Sequence, residues 1–264
     1  MAQILVPFDY SANAINALKQ ALYVAKTNGS NIEVLHIINL MISSDSPMVW
    51  TDQQEKEIYD KLTKHIEEIK AEVHAEYIQV SIYIQKGERV SEEILLRAEN
   101  TDAVLIVMGT HGVTGLVDRL LGTNSLDVIS ESNWPVLLIP PTWQATEIKE
   151  LVVAAELEDL LEVTDSIKDL ASFFKTPARA VQLSGIIDTI EIKKRVIEDI
   201  PFEYVSCELD KTLAKNLDIF SKSLTHTILL MYIRPRKFLQ KYFGKSFTKE
   251  TAKVLEIPLL CVRK

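Results

Sequence analysis

The chain has 264 residues, 47% hydrophobic and 25% charged, a balance that fits one large or two ordinary globular domains with a sizeable core. Its net charge of −8 excludes a general nucleic-acid binder, which needs basic surface to displace counterions from phosphates, and a protein that docks on anionic lipid. A local anion site stays compatible with that charge, because backbone N–H groups can build one.

The opening MAQILVPFDYS has no basic leader region and its apolar run stops at Asp9, so no secretory signal is expected. No apolar run approaches the ~18 residues of a membrane span. Short Val- and Ile-rich runs alternate with amphipathic stretches, the pattern of βαβ units on a parallel sheet. QILVPFD (3–9) predicts a strand, and residues 11–29 a helix that Ser11 caps and Gly29 ends. NIEVLHIIN (31–39) predicts a strand. Residues 52–76 predict a long charged helix burying Ile58, Leu62, Ile66, Ile69 and Val73. A strand (78–84), a helix (91–100), the apolar strand AVLIVMG (103–109) and the strand PVLLIP (135–140) follow.

PPTW (140–143) reads as a linker, after which the order restarts. Strands are predicted at 151–156, 178–185, 202–209, 226–233 and 258–262, with helices at 162–174, 188–199 and 211–223. This is an internal duplication. Ile4–Asp9 overlays Leu151–Glu156 at an offset of 147, and Ala103–Gly122 overlays Thr225–Gly244 at an offset of 122. The second copy has therefore lost about 25 residues, mostly where the first holds its long helix. Cys207 and Cys261 are isolated, with no C-x-x-C, so neither a zinc site nor a disulfide framework is expected, and a reducing, cytoplasmic location is.

Of the eight glycines in the chain, Gly109, Gly112, Gly115 and Gly122 fall inside GTHGVTGLVDRLLGTNS (109–125). Ligands of parallel α/β sheets sit beyond the carboxyl ends of the strands, and Gly109 ends the most apolar strand of the first copy. Glycine there lets backbone approach a ligand, and GTNS reads as a helix N-terminus whose N–H groups form an anion site. A flexible loop with a helix cap is the plain alternative. The spacing is neither G-x-G-x-x-G nor Walker A; GKS (244–246) has a Walker tail, but Leu239 stands where the first glycine belongs.

Gly109-x2-Gly112-x9-Gly122-Thr123 resembles the nucleotide-binding signature of the universal stress protein family, G-x2-G-x9-G-[ST]. ILVPFDYS, VLHIIN and NWPVLLIP also look like that family at the corresponding places. The resemblance covers residues 1–141 strongly, and 145–264 only through the order of elements and the overlay. It implies an α/β fold of two tandem Rossmann-like (adenine nucleotide alpha hydrolase-like) domains, 1–141 and 145–264, each a five-stranded parallel sheet with helices on both faces.

The resemblance further implies ATP in the first domain, with accompanying Mg²⁺ left open. Pro7, Phe8 and Asp9 would face the adenine and ribose, and Ile37 would border the base. Met108, Gly109, Thr110 and Gly112 would run along the ribose and phosphates, and Gly122, Thr123, Asn124 and Ser125 would cradle the outer phosphates. Asp9 as an N-cap of the following helix is the plain alternative. In the overlay Met231 stands for Gly109, Arg234 for Gly112 and Glu156 for Asp9, so the second copy is expected not to hold the nucleotide. It carries instead the basic and aromatic run RPRKFLQKYFGK (234–245), read as an amphipathic segment or an anion or acidic-partner site.

His65 and His74 point to opposite sides of one helix and cannot share a metal, and Trp134 and Trp143 read as packing. No catalytic constellation stands out. The expected function is an ATP-binding stress-response regulator that uses the nucleotide as a conformational switch and acts on a protein partner of unknown identity; a slow ATP hydrolase and a scaffold without nucleotide are the alternatives. The apolar last strands, PVLLIP and PLLCV, are expected to pair the two copies as an intramolecular pseudo-dimer, with a homodimer of chains left open.

Overall fold

The computed structural model describes residues 1–39, 51–110, 123–184, 195–208, 211, 213–233 and 256–263. The first half runs β1 (Gln3–Pro7), α1 (Ala12–Asn28), β2 (Asn31–Asn39), α2 (Asp52–Glu72), β3 (Val80–Gly87), α3 (Val90–Asn100), β4 (Ala103–Gly109), α4 (Thr123–Glu131) and β5 (Val136–Ile139). The second runs β6 (Glu150–Ala154), α5 (Leu157–Phe174), β7 (Ala178–Ser184), β8 (Arg195–Ile197), β9 (Ile200–Ser206), α6 (Leu213–Ser221), β10 (Thr227–Ile233) and β11 (Leu259–Arg263).

Local chemistry sets the first-half helices. Ser11 Oγ accepts the Ala14 N–H at the start of α1, and Gly29, at φ 80°, ends it in the left-handed conformation that glycine adopts without strain. Ala14, Leu18, Ala21, Leu22 and Ala25 recur at helical spacing and form its buried face. Thr51 and Gln54 bond reciprocally as a capping box at the start of α2, which buries Leu62, Ile66 and Ile69.

All strands join one eleven-stranded sheet in the order β3-β2-β1-β4-β5-β11-β10-β6-β7-β9-β8. The neighbours within each half run parallel except β8 against β9, and the halves meet where β5 pairs antiparallel with β11. One apolar layer packs α1, α2 and α5 on one face of the sheet, and a second packs α3, α4 and α6 on the other. Among the described residues, no helix is long and apolar enough to cross a membrane.

Two second-half elements differ from the sequence expectation. Residues 195–197, within the helix predicted over 188–199, form an edge strand that turns back on β9. Glu198 and Asp199 both take positive φ, 45° and 72°, as a two-residue hairpin of the mirror-image type requires. No glycine or asparagine flags that turn, and the isoleucine spacing fits either helix or strand. Helix α5 begins at Leu157 rather than 162 because its cap is tertiary: Gln182 Oε1, on β7, accepts the Leu157 N–H at 3.0 Å.

Strand pairing also corrects the overlay. Ile4 pairs with Leu105, and its counterpart Leu151 pairs with Ile228, so β4 matches β10 at an offset of 123 rather than 122. The two faces agree. Leu105 and Val107 share a layer with Ile228, Leu230 and Tyr232, whereas Met108 and Met231 lie in the other. A one-residue slip exchanges the faces of a strand. Tyr232, not Met231, therefore stands where the first half has Gly109. At the seam Leu137 faces Leu260, its own counterpart at the same offset, which places an approximate two-fold axis through that pair.

Cys261 lies on this seam, paired with Val136 and 2% exposed, and burial pushes its thiol up to about 12 from the usual 9.0. The folded state thus favours the neutral thiol. The group's contribution is complete below pH 9 and is lost as pH rises from there toward 12. In the native protein at pH 8, a thiol reagent is expected to label the half-buried Cys207 first, and Cys261 only on unfolding. Peptide mapping of the labelled chain checks this; equal native labelling of both would contradict the seam.

Candidate functional site

Strands β1, β2 and β4 end side by side, with β2 on one flank of β1 and β4 on the other. The chain builds outward in opposite directions from β1 and β4, and a parallel sheet opens a crevice at such a switch point. A cavity of about 160 Å³ lies there. Leu35, Ile37, Val90, Ile94 and Met108 supply its apolar lining, and Pro7, Phe8 and Asp9 one wall. Gly109, Thr123, Asn124 and Ser125 complete it together with Ala14.

Most site residues named from the sequence therefore converge on one cavity. Thr110 does not line it: it is buried, and its N–H bonds to Ile139 O at 3.2 Å. Gly112, Gly115 and Gly122 lie outside the described residues, as does the 234–245 run. Ala14, Leu35, Val90 and Ile94 were not read from the sequence. Val90 and Ile94, four apart at the start of α3, carried a helical-face signal, but nothing local tied that face to β1.

Each polar group has a traceable position. Asp9 Oδ1 accepts the Ser11 N–H at 3.0 Å, while Ser11 itself caps α1, so Asp9 is not the N-cap. The carboxylate is thereby fixed at the cavity mouth, where it can accept from hydroxyl groups. Thr123 and Asn124 lie exposed in the first turn of α4, which contains no acidic side chain. Unsatisfied N–H groups and the helix dipole give such a turn a partial positive charge. Ser125 is buried, and its hydroxyl donates to Gly109 O at 3.1 Å. A serine has one O–H, so this side chain ties α4 to the tip of β4, leaving its backbone N–H as the donor toward an anion.

Gly109 has a role the sequence did not reveal. A Cβ built there would meet Asn13 Cβ at 2.7 Å and the Asn13 backbone at 2.9 Å. Glycine is required because the first turn of α1 rests directly on the tip of β4. In the second half Tyr232 takes this place, facing α5 near Ser166 and Asp169, and burial pushes its phenol up. The preceding turn differs too: Lys175 ends α5 in the left-handed conformation as Gly29 ends α1, at an offset of 146 against 147 for the strands. Since α5 has 18 residues against 17 in α1, the turn between β6 and α5, residues 155–156, is two residues shorter than that between β1 and α1, residues 8–11.

Behind the Pro7–Asp9 wall, on the α1 and α2 face, stands an aromatic group. Tyr10 packs edge-on against Phe8 and His36, each at 5.4 Å between ring centroids, with His65 at 5.9 Å. Lys61 Nζ sits 4.7 Å over the Tyr10 ring, and Tyr10 itself holds φ 64°. His36 Nδ1 lies 2.8 Å from Phe8 O, while Phe8 N–H donates to Leu35 O at 2.8 Å. Among the described residues, no cluster of histidine, cysteine and carboxylate side chains could hold a metal ion.

The model of the universal stress protein family matches residues 1–140, more than half of the chain. Universal stress protein MJ0577 of Methanocaldococcus jannaschii is 31% identical over 152 residues, covering 52% of this chain and 93% of the relative. Universal stress protein YxiE of Bacillus subtilis is 28% identical over 145 residues, covering 52% and 97%. The crystal structure of a universal stress protein from Archaeoglobus fulgidus superposes with a TM-score of 0.69 at 19% identity, covering 99% of this chain and 96% of that one, which extends the likeness of fold to the second half. The chain belongs to the universal stress protein family.

Proposed function

We propose that residues 1–141 bind ATP and that the chain acts in the cytoplasm as a stress-response regulator, with the bound nucleotide as its switch. The observation that carries this is the composition of a single cavity: an apolar floor for a base, a carboxylate placed for hydroxyls, and an acid-free helix N-terminus for phosphates. Residues 145–264 form the second domain. It pairs with the first as a pseudo-dimer through β5 and β11 and holds no nucleotide, since Tyr232 fills the place of Gly109 and the strand-to-helix turn is shortened. Bound ATP changes the surface offered to a protein partner.

Purified protein should yield bound adenine nucleotide on extraction and, once stripped, take up one ATP per chain in isothermal titration, with the nucleotide still intact after hours. Two equivalent sites would overturn the one-domain assignment. No uptake would leave the scaffold reading, and rapid turnover the hydrolase reading. Titration with and without Mg²⁺ decides whether the ion contributes, and chain mass in solution with and without ATP decides whether two chains associate.

A further inference from the structure

The cavity wall at Pro7–Asp9 is the tip of a strand, where the regular ladder stops and backbone groups must find other partners. Phe8 N–H still reaches Leu35 O on β2. The Phe8 carbonyl instead meets the His36 ring at 2.8 Å. A carbonyl oxygen can only accept, so Nδ1 carries the proton and donates, whether or not Nε2 is also protonated. His36 thus anchors the residue immediately before Asp9 to β2, from the face of the sheet opposite the apolar floor of the cavity.

The second half repeats the device with different chemistry. Pro7 pairs with Leu35 and its counterpart Ala154 with Val181, so the next residues, His36 and Gln182, occupy matching positions. Gln182 also bonds the strand-to-helix turn beside it, accepting the Leu157 N–H. A polar side chain at this register position fastening that turn is therefore a feature of both halves. In the first half the fastened turn is the one that lines the cavity.

We infer that His36 is a positioning residue of the ATP site: its Nδ1–H holds the Phe8 carbonyl, and through it Asp9, in the arrangement that receives the nucleotide. The inference rests on the ATP reading above. Without the bond, the Phe8 peptide could turn its carbonyl dipole toward a polyanion, and Asp9 would lose its fixed bearing on hydroxyl groups.

Two substitutions separate this role from packing. His36→Phe keeps a ring against Tyr10 but has no donor; His36→Gln restores a donor on a flexible side chain. Stripped full-length protein is titrated with ATP, and melting is followed on the same samples. His36→Phe should weaken ATP binding about five- to tenfold, the range of one lost hydrogen bond, at a melting temperature close to wild type, and His36→Gln should recover most of the affinity. Imidazole nitrogen NMR of the wild type should place the proton on Nδ1. Wild-type binding with unchanged affinity in His36→Phe would overturn the inference and leave the ATP reading standing, as would a proton on Nε2 alone. Equal losses in both variants with lowered melting would make His36 structural only. Failure of the wild type to bind ATP would overturn the reading itself.

Discussion

Replacing Gly109 with valine is expected to destabilise the protein by about 3 kcal/mol, the upper range for overpacking a filled site, and to weaken ATP binding by one to two orders of magnitude. The first added carbon would sit 2.7–2.9 Å from atoms of Asn13, two of them backbone, which cannot swing aside as a flexible side chain would. The start of α1 must then lift from β4. Ser11, which caps that helix, also donates its N–H to Asp9, and Ser125 hangs from the Gly109 carbonyl, so the carboxylate and the anion-binding turn move together. Alanine should do the same more mildly, at about 1 kcal/mol. Thermal melting and ATP titration of both variants check this. If glycine served only to clear space for a ligand, both variants would melt with the wild type and lose affinity alone. An unchanged melting temperature in Gly109→Val would therefore remove the helix contact as the explanation.

Gln20→Leu should cost a similar amount, about 3 kcal/mol, although it preserves volume. Gln20 is fully buried on α1. Its amide donates to Thr146 O at 2.9 Å and accepts from Trp143 Nε1 at 2.8 Å and Thr146 N–H at 3.1 Å. Leucine would leave these three groups without their partner, at about 1–3 kcal/mol for each that stays dry. Asn16, one turn earlier, donates to Pro140 O and Trp143 O, and Thr146 Oγ1 bonds His226 Nδ1 ahead of β10. One face of α1 thus holds the linker, and the linker holds the second half. Urea unfolding with tryptophan emission as the probe should show a lower midpoint, with Trp143 exposed before the rest. A wild-type midpoint would mean that the Gln20 hydrogen bonds do not help to hold the linker to α1.

These two residues illustrate where sequence reading stopped. Ser11, Gly29 and the apolar steps of α1 and α2 act within a few residues of themselves, and their helices were legible from residue order. The alternation of apolar strands with amphipathic helices gave the class of fold and the duplication. The Gly109–Gly122 spacing and ILVPFDYS named the segments of the candidate site, although half of the glycine signature lies outside the described residues. The offset of the second overlay was wrong by one because Val, Ile and Leu fill both faces of a doubly covered strand, so alternation carries no register information.

Residue order determined the strands and helices of the first half, because caps, turns and periodicity are short-range. Tertiary structure decided the rest: that eleven strands form one sheet, that Tyr232 answers to Gly109, that Gln182 starts α5, and that Gln20, 126 positions from Thr146, ties the linker down. Each of these depends on a partner distant in the chain, and the identity of a buried polar group's partner is settled only when folding removes the water that would otherwise satisfy it.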